Sequence, residues 1–282
     1  MKGFINLIKP KGLSSAYAVG AVKKKFHLPC GHMGTLDPMA SGVLPVGIDQ
    51  TSRLFPFLLD KKKTYIANFI FGQTTDTLDV TGTVTDTIDK VPTIEEIKRV
   101  LPTLTGEVMQ VPPKYSAKCI NGKRGYQLSR KGVDFELEPK KVIIDELQLL
   151  GQVGENEYQF KIVCGGGTYV RSICRDIAFA CDSLGVMSAL ERTASGVFTI
   201  ENGVTVDEFI NSDNPEKYLL PPDIAINFEK LVLSEEQAQK VLDGVYLDYG
   251  FREGIYRVYV GGEFWGIGNV KDGSVRIKPY VR

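Results

Sequence analysis

The sequence predicts a mixed α+β protein with a small β-rich module toward its C-terminal end. Three observations point there. β-rich runs such as TYIANFIFG and EYQFKIVCG are interspersed with helix-like stretches such as TYVRSICRDIAFACDSLG. The run GIYRVYVGGEFWGIGNVKDGSVRIKPYV breaks at Gly261-Gly262 and Asp272-Gly273, which reads as three short strands joined by tight turns. The length of 282 residues exceeds that of one ordinary domain, and 43% hydrophobic against 24% charged residues is a globular composition.

Taken in order, GFINLIK is a strand closed by the turn-forming Pro10-Lys11-Gly12, and Ser14 and Ser15 offer an N-cap to a helix through AYAVGAVKKKF. GHMGTLDPMASG is too rich in glycine and proline for a helix, so it reads as a loop leading into a short strand, VLPVGI. TYIANFIFG is a strand. VPTIEEIKRVLPTL is a helix capped by Thr93, with acidic residues early and basic ones late, as the helix dipole favours. KKVIIDELQLLG and EYQFKIVCG are strands, and TYVRSICRDIAFACDSLG is an amphipathic helix with Gly185 near its end. The acidic, proline-containing residues 211 to 225 read as a linker, and LSEEQAQKVLDG as a short helix.

Composition narrows the chemistry. Five cysteines form no C-x-x-C pair, and only His27 and His32 could join them as metal ligands, so no metal site is expected. No apolar run approaches the roughly 20 residues of a bilayer span, so a cytoplasmic location without membrane contact is expected. Net charge is zero but unevenly spread. Residues 1 to 63 carry ten Lys or Arg against three Asp or Glu, and residues 114 to 141 carry eight against three. One positive face on an otherwise balanced molecule is compatible with a nucleic-acid partner, and so is a solvated surface of mixed sign with no partner.

No nucleotide-phosphate loop, nucleophile elbow or H-E-x-x-H pair is present, so dependence on ATP, NAD or another cofactor is not expected. Asp76 and Asp79 in DTLD read as turn and capping residues. The loop GHMGTLDPMASG is the most unusual segment, because a carboxylate set between glycine turns can face a ligand without bulky neighbours. Asp37 is its centre, although by local reasoning alone an Asx-type turn before Pro38 is the better explanation.

GHMGTLDPMASGVLPVGI resembles the signature of the bacterial tRNA pseudouridine-55 synthases, the TruB family, related to the dyskerin type. INLIKPKGLSS, KTYIANFIFGQTTDTLD, VPPKYSAKCINGKRGYQLSRKG and CGGGTYVRSICRDI resemble further blocks of that family in the same order, so the likeness spans about residues 4 to 195. It implies a largely antiparallel central sheet with flanking helices over residues 1–210, an RNA-clamping insertion at about 114–141, a linker at 211–228, and a PUA-like RNA-binding module at 229–282. It implies Asp37 as the catalytic carboxylate, Tyr65 as the tyrosine against the target base, and Arg171 as the arginine that pairs with the aspartate. His32 matches the histidine that helps hold the rearranged RNA, Tyr169 and Leu190 match residues lining the uridine pocket, and Lys9 belongs to the opening motif that meets RNA. Lys118, Lys123, Arg124, Arg130 and Lys131, interleaved with aromatics, suit a basic element that clamps a stem-loop by charge and stacking.

The implied reaction breaks the C1′–N1 glycosidic bond, turns the uracil and rejoins it through C5. It consumes no oxidant, phosphate donor or water, and its carboxylate must be ionised, which a neighbouring arginine favours by about 1 to 3 pKa units. The partner is tRNA, through its T-arm, with no obligate protein partner and a monomer as the default. Two rivals stand beside this reading: a non-catalytic tRNA chaperone of the same ancestry, and a carboxylate-dependent glycosidase, which would use two flanking acids.

Overall fold

The structure is a computed structural model that describes residues 1–58, 61–116, 119–120, 123–124, 135–244 and 250–281. Its strands begin with β1 (Gly3–Lys9), β2 (Cys30–His32), β3 (Ser41–Ile48), β4 (Lys63–Phe71), β5 (Gln73–Thr75), β6 (Val84–Thr87) and β7 (Gly106–Gln110). They continue with β8 (Cys119–Ile120), β9 (Lys123–Arg124), β10 (Lys140–Gln152), β11 (Glu157–Cys164), β12 (Gly185–Ser195), β13 (Phe198–Thr199) and β14 (Val204–Thr205). The last are β15 (Glu229–Leu233), β16 (Gly254–Val260), β17 (Glu263–Lys271) and β18 (Ser274–Tyr280). The α-helices are α1 (Ser15–Phe26), α2 (Ile94–Val100), α3 (Val170–Ala180), α4 (Val206–Asn211) and α5 (Glu235–Leu242). The fold is α+β, as the sequence predicts, and its sheets mix parallel and antiparallel pairs.

Two compact units divide the chain. One gathers Met1–Pro38, Gly42–Lys61 and Ser195–Arg282; the other gathers Met39–Ser41 and Lys62–Ala194. In the first, β1 pairs antiparallel with β3 and parallel with β14, and β2 pairs with the far half of β3. Residues distant in sequence build its core: Phe4, Met33, Val43, Leu54, Phe198, Ile226, Phe264, Ile267 and Val281 form one apolar cluster. The stretch read as a linker takes part in it. Leu220 exchanges backbone hydrogen bonds with Phe4 at 2.8 and 2.9 Å, and Ala225 and Ile226 are buried.

The C-terminal residues form a four-stranded sheet in the order β15-β16-β17-β18, crossed by α5 and filled by Leu231, Val258, Trp265 and Val270. The expected turns are present, with Gly261, Gly262, Asp272 and Gly273 all at positive φ, the conformation that such hairpins demand. β15, parallel to β16, is an additional strand the sequence did not announce.

In the second unit the strand order is β12-β4-β11-β10-β7. β4 buries Tyr65, Ala67, Phe69 and Phe71 and leaves the alternate residues half-buried, the period-two signature by which it is recognised. Phe69 packs on Phe160 of β11 with ring centroids 4.7 Å apart. The helix at 94 begins with a capping box, Thr93 and Glu96 each bonding the other's backbone N–H, and gives way at Pro102 to a 3-10 turn.

One expected boundary is corrected. The helix around Arg171 ends at Ala180, and Gly185 does not cap it; Asp182 takes the left-handed conformation, and Gly185 opens β12. A Cβ on Gly185 would lie 2.9 Å from the Ala178 side chain and 3.1 Å from Cys174 Sγ, so this glycine lets the strand pass close over the helix.

Candidate active site

The Asp37 loop is held from both sides by residues of its own unit. Ser14 is the N-cap of α1, accepting from Tyr17 N–H, which leaves Ser15 to a different task. Ser15 is buried at the start of α1, donates its hydroxyl to Leu36 O (2.8 Å), and accepts from Leu36 N (2.9 Å). On the other flank of Asp37, Gly12 N donates to Pro38 O at 2.7 Å. Gly12 has a φ of +93°, the left-handed region that the Pro10-Lys11-Gly12 turn needs and a side chain would resist. The half-buried Asp37 thus sits between two backbone clamps supplied by the first strand-turn-helix.

Lys9 closes β1. It is fully buried, its ammonium donates to Pro10 O (3.0 Å) and Leu13 O (2.7 Å), and it pairs across the strands with Gly42. A buried ammonium on turn carbonyls supports the loop. His32 lies on β2 opposite Val46, half-buried, five residues before Asp37.

The second unit carries the remaining expected residues. Tyr65 is buried on β4 opposite Ile162 of β11. Leu190 is buried on β12, between Ser188, which donates to Asn68 O of β4, and Thr193, which donates to Thr64 O of the same strand. That places Leu190 on the strand next to Tyr65. Tyr169 is the N-cap residue of α3. Its side chain makes no capping bond; instead Gln110 of β7 clamps its backbone, accepting from Tyr169 N (2.8 Å) and donating to Tyr169 O (3.2 Å).

Arg171, in the first turn of α3, is buried. Its guanidinium donates to Thr77 O (2.9 Å) and Tyr115 O (3.1 Å) and lies 3.4 Å from Asp79, whose side chain is also buried. Asp79 accepts further from Thr77 Oγ1 and Thr81 N, both at 3.0 Å. The sequence reading of Asp79 as a turn residue is therefore incomplete: it organises its turn and also pins Arg171. Nothing local in DTLD announces a partner 92 positions away, so only the fold reveals it. Asp76, in contrast, does turn work, accepting from Thr83 N at 2.8 Å.

Burial raises the thiols of Cys164, to about 11, and of Cys174, well above the usual range, so neither is a nucleophile at neutral pH. Lys118, Arg130 and Lys131 lie outside the described residues, and of Lys123 and Arg124 only the pairing of β9 with β8 is described.

One unit thus carries a carboxylate on a clamped loop, and the other a buried arginine oriented by Asp79. Residues 23–170 match the model of the TruB family pseudouridylate synthase (N terminal domain). The chain belongs to that family. The tRNA pseudouridine synthase B of Clostridium kluyveri is 36% identical, with 96% of each chain covered, and that of Aquifex aeolicus is 37% identical, with 99% of each covered. The fold matches a chain in a structure of an H/ACA RNP bound to a substrate RNA containing 2′-deoxyuridine, at a TM-score of 0.71 and 22% identity, covering 99% of this chain and 85% of that one. No described helix is long and apolar enough to cross a membrane.

Proposed function

We propose that this protein is a tRNA pseudouridine-55 synthase, converting the T-loop uridine to pseudouridine. The observation that carries the reading is the family match, which includes the Asp37 loop, together with near full-length identity of about 36% to proteins of that name. Asp37 is the carboxylate that attacks C1′ or removes a sugar proton; both routes need it ionised. N1 leaves with the bond electrons and the uracil turns; C5 then bonds to C1′, displacing the Asp37 carboxylate from its ester or adding to the glycal as the sugar proton returns, and the C5 proton is lost while N1 takes one up, so the product is an isomer of the substrate. Arg171 supplies the positive charge that favours the ionised acid. The Tyr65 ring stacks on the detached base, and Tyr169 and Leu190 enclose it.

His32 and the basic residues Lys118, Lys123, Arg124, Arg130 and Lys131 bind the RNA and offset the few kcal/mol that base extrusion costs. Residues 229–282 serve as a PUA-like RNA-binding module. The reaction draws on no cofactor, and the protein works in the cytoplasm without an obligate protein partner.

Asp37→Asn separates this reading from a chaperone of the same ancestry. Turnover should fall at least 1,000-fold, on the order of what a covalent or general-base group contributes, while tRNA affinity stays within about twofold. Equal loss of binding and turnover would remove Asp37 from the chemistry.

A further inference from the structure

One face of α1 is unexplained by the fold. Tyr17, Gly20, Lys23, Lys24 and His27 are all exposed, and the last four line an open depression of about 410 Å³. At 100° per residue these positions fall within roughly one third of the helix circumference. Phe26 lies half a turn round from Tyr17 and carries the ring contact to Phe209 of α4, so α4 covers the opposite side.

Gly20 is the sharpest clue. A glycine in the middle of a helix loses conformational entropy on folding, and the usual internal reason for tolerating one is close packing. Here a Cβ would meet nothing within 4 Å. Among the described residues nothing uses the bare backbone, which points to a close approach from outside. His27 makes the same point from the backbone. It ends α1 at a φ of +53°, bonding Lys23 O, a left-handed site where glycine is the favoured occupant, yet an imidazole is kept there.

Charge identifies the visitor as an anion. The first acidic residue of the chain is Asp37, so the 36 residues before it carry six lysines and no carboxylate. An exposed tyrosine, a bare helix backbone, two exposed lysines and a histidine on one face suit a sugar-phosphate backbone. Position identifies which one. Ser15, at the start of α1, grips Leu36 beside Asp37, and Lys23 and Lys24 stand roughly 12 to 14 Å further along the helix axis at 1.5 Å per residue. One rigid element of one unit therefore links the lysines to the loop of the reacting carboxylate.

We infer that this face of α1 binds phosphates of the same RNA whose uridine meets Asp37, a few nucleotides from the target. The inference rests on the tRNA reading above. It is tested by titrating wild type, Lys23→Ala/Lys24→Ala and Gly20→Gln with an unmodified tRNA transcript across a salt series, with melting temperatures recorded for all three. Losing two phosphate contacts should weaken binding about tenfold near 0.1 M salt and lower the salt slope by about 2. Gly20→Gln should weaken binding with an unchanged slope and no fall in melting temperature, because glutamine is the better helix former. Wild-type affinity and slope in the lysine variant would overturn the phosphate site, and wild-type affinity in Gly20→Gln would overturn the close approach. Wild-type protein that modifies the transcript while the variants bind normally sinks this inference alone. Wild-type protein that neither binds nor modifies it sinks the tRNA reading and this inference with it.

Discussion

Asp79 holds Arg171 within the second unit. Its carboxylate is buried against the Arg171 guanidinium, and removing one partner of such a pair leaves a charge out of water without compensation. Asp79→Ala should cost about 3–5 kcal/mol in urea unfolding, far more than an exposed pair would. A loss below about 1 kcal/mol would show that Thr77 O and Tyr115 O hold Arg171 unaided. At this scale the sequence is legible where a motif is contiguous and illegible where a partner is remote. GTLDP and TYVR name Asp37 and Arg171, whereas the grip of Ser15 on Leu36 and of Gln110 on Tyr169 spans 21 and 59 positions and leaves no local trace.

Elements were legible wherever their ends or periods are written locally. The Thr93-x-x-Glu96 box announces α2, and alternating burial announces β4. β12 was not, because GVMSALERTAS is rich in helix formers and follows a helix; its place beside β4 overrides that propensity. The α2 cap has a measurable consequence. Glu96 is held down to about 2, first by its hydrogen bond to Lys90 and then by the Thr93 backbone. Its folded value lies below the free value near 4.5, so its stabilisation is complete above pH 4.5 and is lost as pH falls toward 2. Glu96→Gln keeps the cap geometry and removes the charge. It should therefore flatten the pH dependence of stability between about pH 4.5 and 2 and leave the cap intact at neutral pH; a parallel pH profile for the two proteins would show that Glu96 is not the titrating group.

At the scale of the whole molecule, the first unit is assembled from three separate stretches of chain. Phe4 and Val43 share one cluster with Ile226, Ile267 and Val281, so the C-terminal residues complete a core begun at the first strand. Side-chain pattern predicts that each strand has a buried face and says nothing about which distant strand covers it, which is why a division near residue 211 reads naturally from composition and differs from the compact units of the fold. Charge shows the same limit. A net charge of zero conceals an N-terminal stretch that is basic up to Asp37. Under the proposed function this molecule isomerises one uridine of the tRNA T-arm. The most direct test is nucleotide-resolution pseudouridine mapping of an unmodified tRNA transcript after incubation with purified protein, without added nucleotide or metal. Pseudouridine at position 55 alone is the predicted result; free uracil, or bound tRNA with an unaltered T-loop uridine, would contradict it.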